Sequence, residues 1–225
     1  MFIDIDAFDW YIIYVRLALA NFWEQTHFKK KSGGERIEML ERYLVDQCAP
    51  TLAGMKTGSL FTIHGKDSRS IKNEIRKINH ILFGKGLLLL PLHTTSTFCL
   101  LYLYRPKHLE RDLQKPKCSK LLEECGYSNC HPTTCLLNLI RRLRQNGGFP
   151  HEIGLFLGYP PEDVKGFMKN PHTESKCRAC TGGCWKVYHD PEKAQMVFDK
   201  YALCTRNYQN RLERGASLEQ LAVAG

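Results

Sequence analysis

The sequence predicts an α+β fold, a small mixed sheet in the order β-α-β-β-helices-β-α with a helical bundle inserted at about residues 106–170. Three observations carry this prediction. An apolar run at residues 60–63 precedes Ile71, Ile75, Ile78 and Leu82, which repeat at the period of an amphipathic helix. Two further runs follow without that period: 86–92 is a short continuous apolar run that suits a buried strand, and 97–104 is rich in β-formers. From Pro106 onward, leucines at helical spacing alternate with Pro and Gly breaks. The order is compatible with a ferredoxin-like or related sandwich.

Length and composition set the bounds. With 225 residues and 43% hydrophobic content, the chain can bury one sizeable core or two small ones. The expected division is an extension at 1–38, a single α+β domain at 39–215 and a frayed tail at 216–225. Ten cysteines without a secretory leader pattern are expected as reduced thiols or metal ligands in the cytoplasm. The formal charge of +9 raises nucleic acid as a partner, but the basic residues are scattered and solvated surface is the simpler account.

In chain order, residues 10–23 are apolar but interrupted by Arg16 and Asn21, too short and too charged for a membrane span. They read either as an amphipathic helix lying on a surface or as an extension outside the native chain. The second alternative rests on Gly33-Gly34-Glu35-Arg36, whose guanine-rich codons resemble a ribosome-binding sequence shortly before Met39. A helix is expected over 40–45, a loop over 48–59, and a helix from near Asp67 or Ser68 that stops at Gly84. Helices follow that break at Pro116 and close at Gly126, and then a helix at 133–145 with Leu136, Leu137, Ile140 and Leu143 inward. Residues 149–167, FPHEIGLFLGYPPEDVKGF, read as two short helices joined at Gly158, with Pro161, Glu162 and Asp163 opening the second. Trp185-Lys-Val-Tyr188 is expected as a strand, and Asp190 as the cap of a last helix.

The segments CAPTLAGMKTGSLF (48–61), FPHEIGLFLGYPPEDVKGF (149–167) and WKVY (185–188) resemble those of an uncharacterised family of anaerobic Gram-positive bacteria, a domain of unknown function. The resemblance covers about residues 40–212. It implies an intracellular protein, supplies no catalytic residues or cofactor, and points to iron or redox physiology with a flavodoxin-type redox protein as a partner.

Four sets of residues are candidates for chemistry. Cys177, Cys180 and Cys184 have the spacing of a thiolate set for zinc or an iron–sulfur cluster, with Cys204, His172 or His189 as a fourth ligand. Cys125, Cys130, His131 and Cys135 form a looser set. Lys56, Gly58 and Ser59, after Gly54, form a candidate anion-binding loop, although the full phosphate-loop spacing is missing. His151 and Glu152 are the candidate catalytic or ligand pair, with a helix-start histidine as the simpler account. Finally, Ile153, Gly154, Leu157, Gly158, Tyr159, Val164 and Phe167 have helix-turn-helix spacing. The Pro-Pro-Glu-Asp entry to the second helix sets carboxylates against phosphate and argues for packing instead. An accessory or binding protein is therefore expected, with a DNA-binding regulator and an enzyme using His151 and Glu152 as the alternatives.

Overall fold

A computed structural model describes residues 33–64, 68–127, 131–145, 149–170 and 185–225, with only the backbone at 33–38 and 68–70. The fold is α+β. Its centre is strand β3 (Phe98–Tyr104), FCLLYLY, whose Phe and two Tyr favour an extended chain and most of whose residues are buried. Strands β1 (Gly58–His64) and β2 (Leu88–Thr94) pair antiparallel on either side of it, giving the order β1-β3-β2. Because both neighbours oppose β3, β1 and β2 run parallel to each other, and helix α2 (Ser68–Phe83) makes the crossover between them. This is a split β-α-β unit, with β3 between the two parallel strands.

Alternation along β3 divides the core in two. Cys99, Leu101 and Leu103 face a cluster with Phe61, Ile63 and Leu89, while Leu100, Tyr102 and Tyr104 face the other. The first cluster is completed by α1 (Gly33–Leu52), α2, α8 (Pro191–Glu213) and α9 (Leu218–Leu221). The second is completed by α3 (Pro106–Leu113), α4 (Pro116–Glu124), α5 (Pro132–Leu143), α6 (Ile153–Phe156) and α7 (Pro161–Lys169). The sheet is thus sandwiched between two helical layers. Among the described residues no helix is long and apolar enough to cross a membrane.

Several sequence expectations are corrected here. No strand forms at 185–188, where the amides of Tyr188 and His189 donate to the Asp163 carboxylate, both at 2.8 Å, instead of joining a ladder. Val187 is nonetheless fully buried, against Ala194 and Phe198. Helix α1 runs on through Pro50, so Cys48 and Thr51 are helical and the expected loop shrinks to residues 53–57. In α5 the inward face is Cys135, Leu136 and Leu139, and Leu137 points out.

The segment after Gly215 is not frayed. Ser217 and Gln220 form a capping box for α9, which buries Leu218 and Leu221. Beyond it, the Val223 amide donates to the Leu52 carbonyl at 3.0 Å. Arg105, 1% exposed, closes the same corner. Its Nε donates to the Thr51 carbonyl at 2.8 Å, and its Nη2 donates to those of Leu52 at 2.8 Å and Val223 at 2.7 Å. A cation at the end of α1 satisfies the carbonyls that a helix leaves unpaired and complements its dipole.

The outer margin of β2 is closed by a side chain. Asn79 Nδ2 donates to the Leu89 carbonyl at 2.8 Å, and Asn79 Oδ1 accepts from the Leu89 amide at 2.7 Å. Pro91, in the same strand, has no N–H to offer.

Candidate functional site

The stretch 149–167 folds much as its Gly and Pro positions dictate. Gly158 ends the first helical turn at φ +78°, and Pro161 opens α7. Gly154 lies so close to the next helix that an added Cβ would stand 2.8 Å from Val164 Cγ2. The hairpin is tight in the manner of a helix-turn-helix, but its first helix has only four residues. Three polar side chains of α7 are turned to neighbours. Glu162 pairs with Lys117 at 2.5 Å, Lys165 pairs with Glu124 at 3.0 Å, and Asp163 is buried beneath the returning chain at 185–189.

His151 and Glu152 stand on the turn that leads into α6, at one wall of a cleft of about 430 Å³. The cleft lies between the end of α4, the C-terminal half of α5 and the hairpin. Glu152 is 3% exposed. Its Oε1 lies 2.9 Å from Arg142 Nε and accepts a hydrogen bond from the Tyr127 hydroxyl at 3.0 Å. Arg142 also donates through Nη1 to the Cys125 carbonyl at 2.5 Å and lies 5.2 Å from the centre of the Tyr127 ring. These contacts tie the ends of α4 and α5 to the start of α6. Burial, followed by the charge of Glu152 and its hydrogen bond, pushes the Tyr127 phenol well up.

The His151 ring meets Phe167 edge-on, with centroids 4.9 Å apart. Burial lowers its pKa, and the nearby Glu152 charge offsets only part of that. The imidazole is therefore neutral near pH 7 and offers one donor and one acceptor. Phe149, Pro150 and Met168 give the cleft an apolar lining, and Asn138, Arg141 and Gln145 a polar one. Arg141 Nη2 donates to Asn138 Oδ1 at 3.1 Å and has no acidic partner among the described residues.

The loop with Lys56, Gly58 and Ser59 makes the following contacts within the fold. The amides of Met55 and Lys56 both donate to the Pro50 carbonyl, at 2.8 and 3.1 Å, so they close the end of α1 instead of facing a ligand. Gly58 abuts the Tyr102 ring, leaving no room for a Cβ. Ser59 Oγ is buried, 2.8 Å from Thr51 Oγ1. Lys56 Nζ lies 5.0 Å from the centre of the Tyr159 ring. Thr57 donates to Asp112, which also pairs with Lys115 at 2.7 Å. Burial opposes ionisation of Asp112, but these hydrogen bonds win and hold its carboxyl below the usual range.

The three segments quoted from the sequence meet at this point. Thr57 lies against Gly158, the Tyr159 ring meets that of Trp185 at a tilt with centroids 4.9 Å apart, and the Trp185 indole N–H donates to Asp163 at 2.9 Å. Nothing in the sequence marked Tyr127 or Asp163 as an anchor.

Of the metal candidates, Cys177, Cys180, Cys184 and His172 lie outside the described residues. Cys204 is packed in the core beside Tyr208, and burial pushes its thiol up. His189 is exposed, with its amide bound to Asp163. In the second set, Cys130 lies outside the described residues, Cys135 is buried, and Cys125 is half-buried with its thiol raised by burial first. Cys48, fully enclosed, has its thiol pushed up to about 12 by burial. Among the described residues no three His, Cys, Asp or Glu side chains gather where they could hold a metal ion.

No curated protein and no solved structure matches this chain. A family model does match, over residues 44–222, and the chain belongs to the family it describes, Protein of unknown function (DUF3793).

Proposed function

We propose that this protein is a binding module and not an enzyme, and that its cleft beside His151 holds a small organic monoanion. The observation that carries the reading is the charge balance of the cleft. Arg142 is neutralised by Glu152, His151 is neutral, and Arg141 is left as the cation without an acidic partner among the described residues, beside an apolar lining. That combination suits a carboxylate on an apolar body. An enzyme reading lacks a primed group, because Glu152 is held in an ion pair and burial raises the Tyr127 phenol. A DNA-reading role for α7 is weakened by the engagement of Glu162, Asp163 and Lys165 with their neighbours.

The test is thermal denaturation and calorimetry with a panel of aromatic and aliphatic monocarboxylates, each beside its neutral amide. A ligand at a hundredfold excess over its Kd should stabilise the fold by about 2.7 kcal/mol. The acid should bind, the amide should not, and Arg141→Ala should lose the effect. Binding of acid and amide alike, or full affinity in Arg141→Ala, would remove the proposal.

A second reading, in the iron or redox setting that the resemblance implies, is a metal centre at Cys177, Cys180 and Cys184. The observation favouring it is their spacing, followed directly by Trp185, which is fixed on Asp163. Elemental analysis of protein prepared without oxygen should find a stoichiometric metal that is lost in Cys180→Ser. Metal-free wild type with freely alkylated thiols would end this reading.

A further inference from the structure

We propose that the outer face of α2 docks on an anionic lipid surface. The helix is sharply two-sided. Ile71, Ile75, Ile78 and Leu82 are buried in the core, whereas Lys72, Asn73, Arg76, Lys77, His80 and Phe83 are exposed. Lys72, Arg76, His80 and Phe83 recur at i, i+4, i+8 and i+11, so they form one stripe along the helix, flanked by Lys77. The arc carries no carboxylate. Glu74, the acid of this helix, is buried on the other side.

Several cations elsewhere in the fold are answered by acids, although Arg141 is not among the described residues. Lys115 meets Asp112, Lys117 meets Glu162, Lys165 meets Glu124 and Arg142 meets Glu152. Lys72, Arg76 and Lys77 have no such partner among the described residues. The dipole of α2 accounts for a cation near its C-terminus, but not for Lys72 in its first half or Arg76 at its middle.

Phe83 decides between the polyanions that this charge would attract. Its side chain is 73% exposed at the end of the helix, just before the turn at Gly84 and Gly86. An aromatic on a protruding corner beside cations matches a flat interface, where the ring enters the acyl boundary and the cations meet lipid phosphates. Binders of single-stranded nucleic acid stack bases inside a basic groove instead.

The experiment is flotation of the full chain with phosphatidylcholine vesicles with and without phosphatidylglycerol, at low and high salt. Wild type should float with the anionic vesicles at low salt only. The triple variant Lys72→Glu, Arg76→Glu, Lys77→Glu should partition at least about a hundredfold more weakly. Phe83→Ser should lose roughly tenfold. The three sites are exposed, so melting curves should match wild type. Should the reversal unfold the chain, the Gln triple variant, which removes charge without reversing it, should still weaken binding. No flotation with phosphatidylglycerol, undiminished flotation of the charge variants, or capture by single-stranded RNA in preference to vesicles at equal salt would each overturn the proposal. None of these readouts involves the cleft, so the two proposals fail independently.

Discussion

The indole N–H of Trp185 and the carboxylate of Asp163 are joined by a 2.9 Å hydrogen bond, which seats the chain returning at residue 185 on the first turn of α7. The same carboxylate takes the amides of Tyr188 and His189 through its other oxygen. One buried side chain thus satisfies three donors. Asp163→Ala should cost about 3 kcal/mol, because it leaves three part-buried donors without their shared acceptor. For a chain of this size that corresponds to a fall in Tm of roughly 6–12 °C. Asp163→Asn, which keeps one acceptor, should cost less, and Trp185 emission should shift to the red in the Ala variant.

The pair Arg142 and Glu152 gives an asymmetric expectation. Arg142→Met leaves a carboxylate buried without its cation and should cost about 2 kcal/mol, moderated by the partial exposure of the arginine. Glu152→Gln still accepts from Tyr127 and should cost less. The double variant should be more stable than the sum of the singles implies, by about 1 kcal/mol in a double-mutant cycle. Chemical denaturation of the four proteins measures this, and strict additivity would show that the two groups do not interact.

His151 predicts how stability changes with pH. Burial lowers its pKa in the folded state below the ordinary 6.5, so the unfolded chain takes up its proton first as the solution is acidified. Stability should be full above that value, fall as pH drops from it toward the folded pKa, and level off below. His108, also lowered by burial first, adds to the same window. His151→Gln should therefore flatten the slope without abolishing it. Urea midpoints across this range provide the measurement, and an unchanged slope in the variant would contradict the assignment.

Removal of residues 216–225 should be strongly destabilising. It would strip Leu218, Leu221 and Ala222 from the core and take from Arg105 one of its carbonyl partners. Burial of two leucines alone is worth about 3–6 kcal/mol. Equal urea midpoints for full-length and truncated chains would refute this.

Much of the sheet was legible because its signals are local. The apolar runs that became β1, β2 and β3 and the isoleucine period of α2 need no distant partner to be read. The strand expected at Trp185-Lys-Val-Tyr188 was wrong for the opposite reason: its β-formers are real, but a carboxylate 25 residues away claims the Tyr188 amide. Pro50 suggested a loop, yet it sits in the last turn of a helix whose end Arg105 covers from 54 residues away. In the cleft, His151 and Glu152 were visible as neighbours, whereas the Tyr127 contact with Glu152 spans 25 residues and leaves no trace in spacing. Leu137 was assigned inward because it is apolar, and Cys135 and Leu139 set the true phase of α5.

The carboxamide of Asn79 both donates to and accepts from Leu89, as a peptide group of an adjoining strand would. It acts as a counterfeit strand residue that occupies the position where a foreign chain would begin to zip. Two positions further on, Pro91 leaves a gap in the row of donors. An incoming chain would have to displace the amide and then skip a rung, so recruitment of other molecules along this margin is suppressed without a charged gatekeeper. In Asn79→Ala the margin would regain one donor and one acceptor, and the protein would become a seed for strand-mediated aggregation while its core stayed intact.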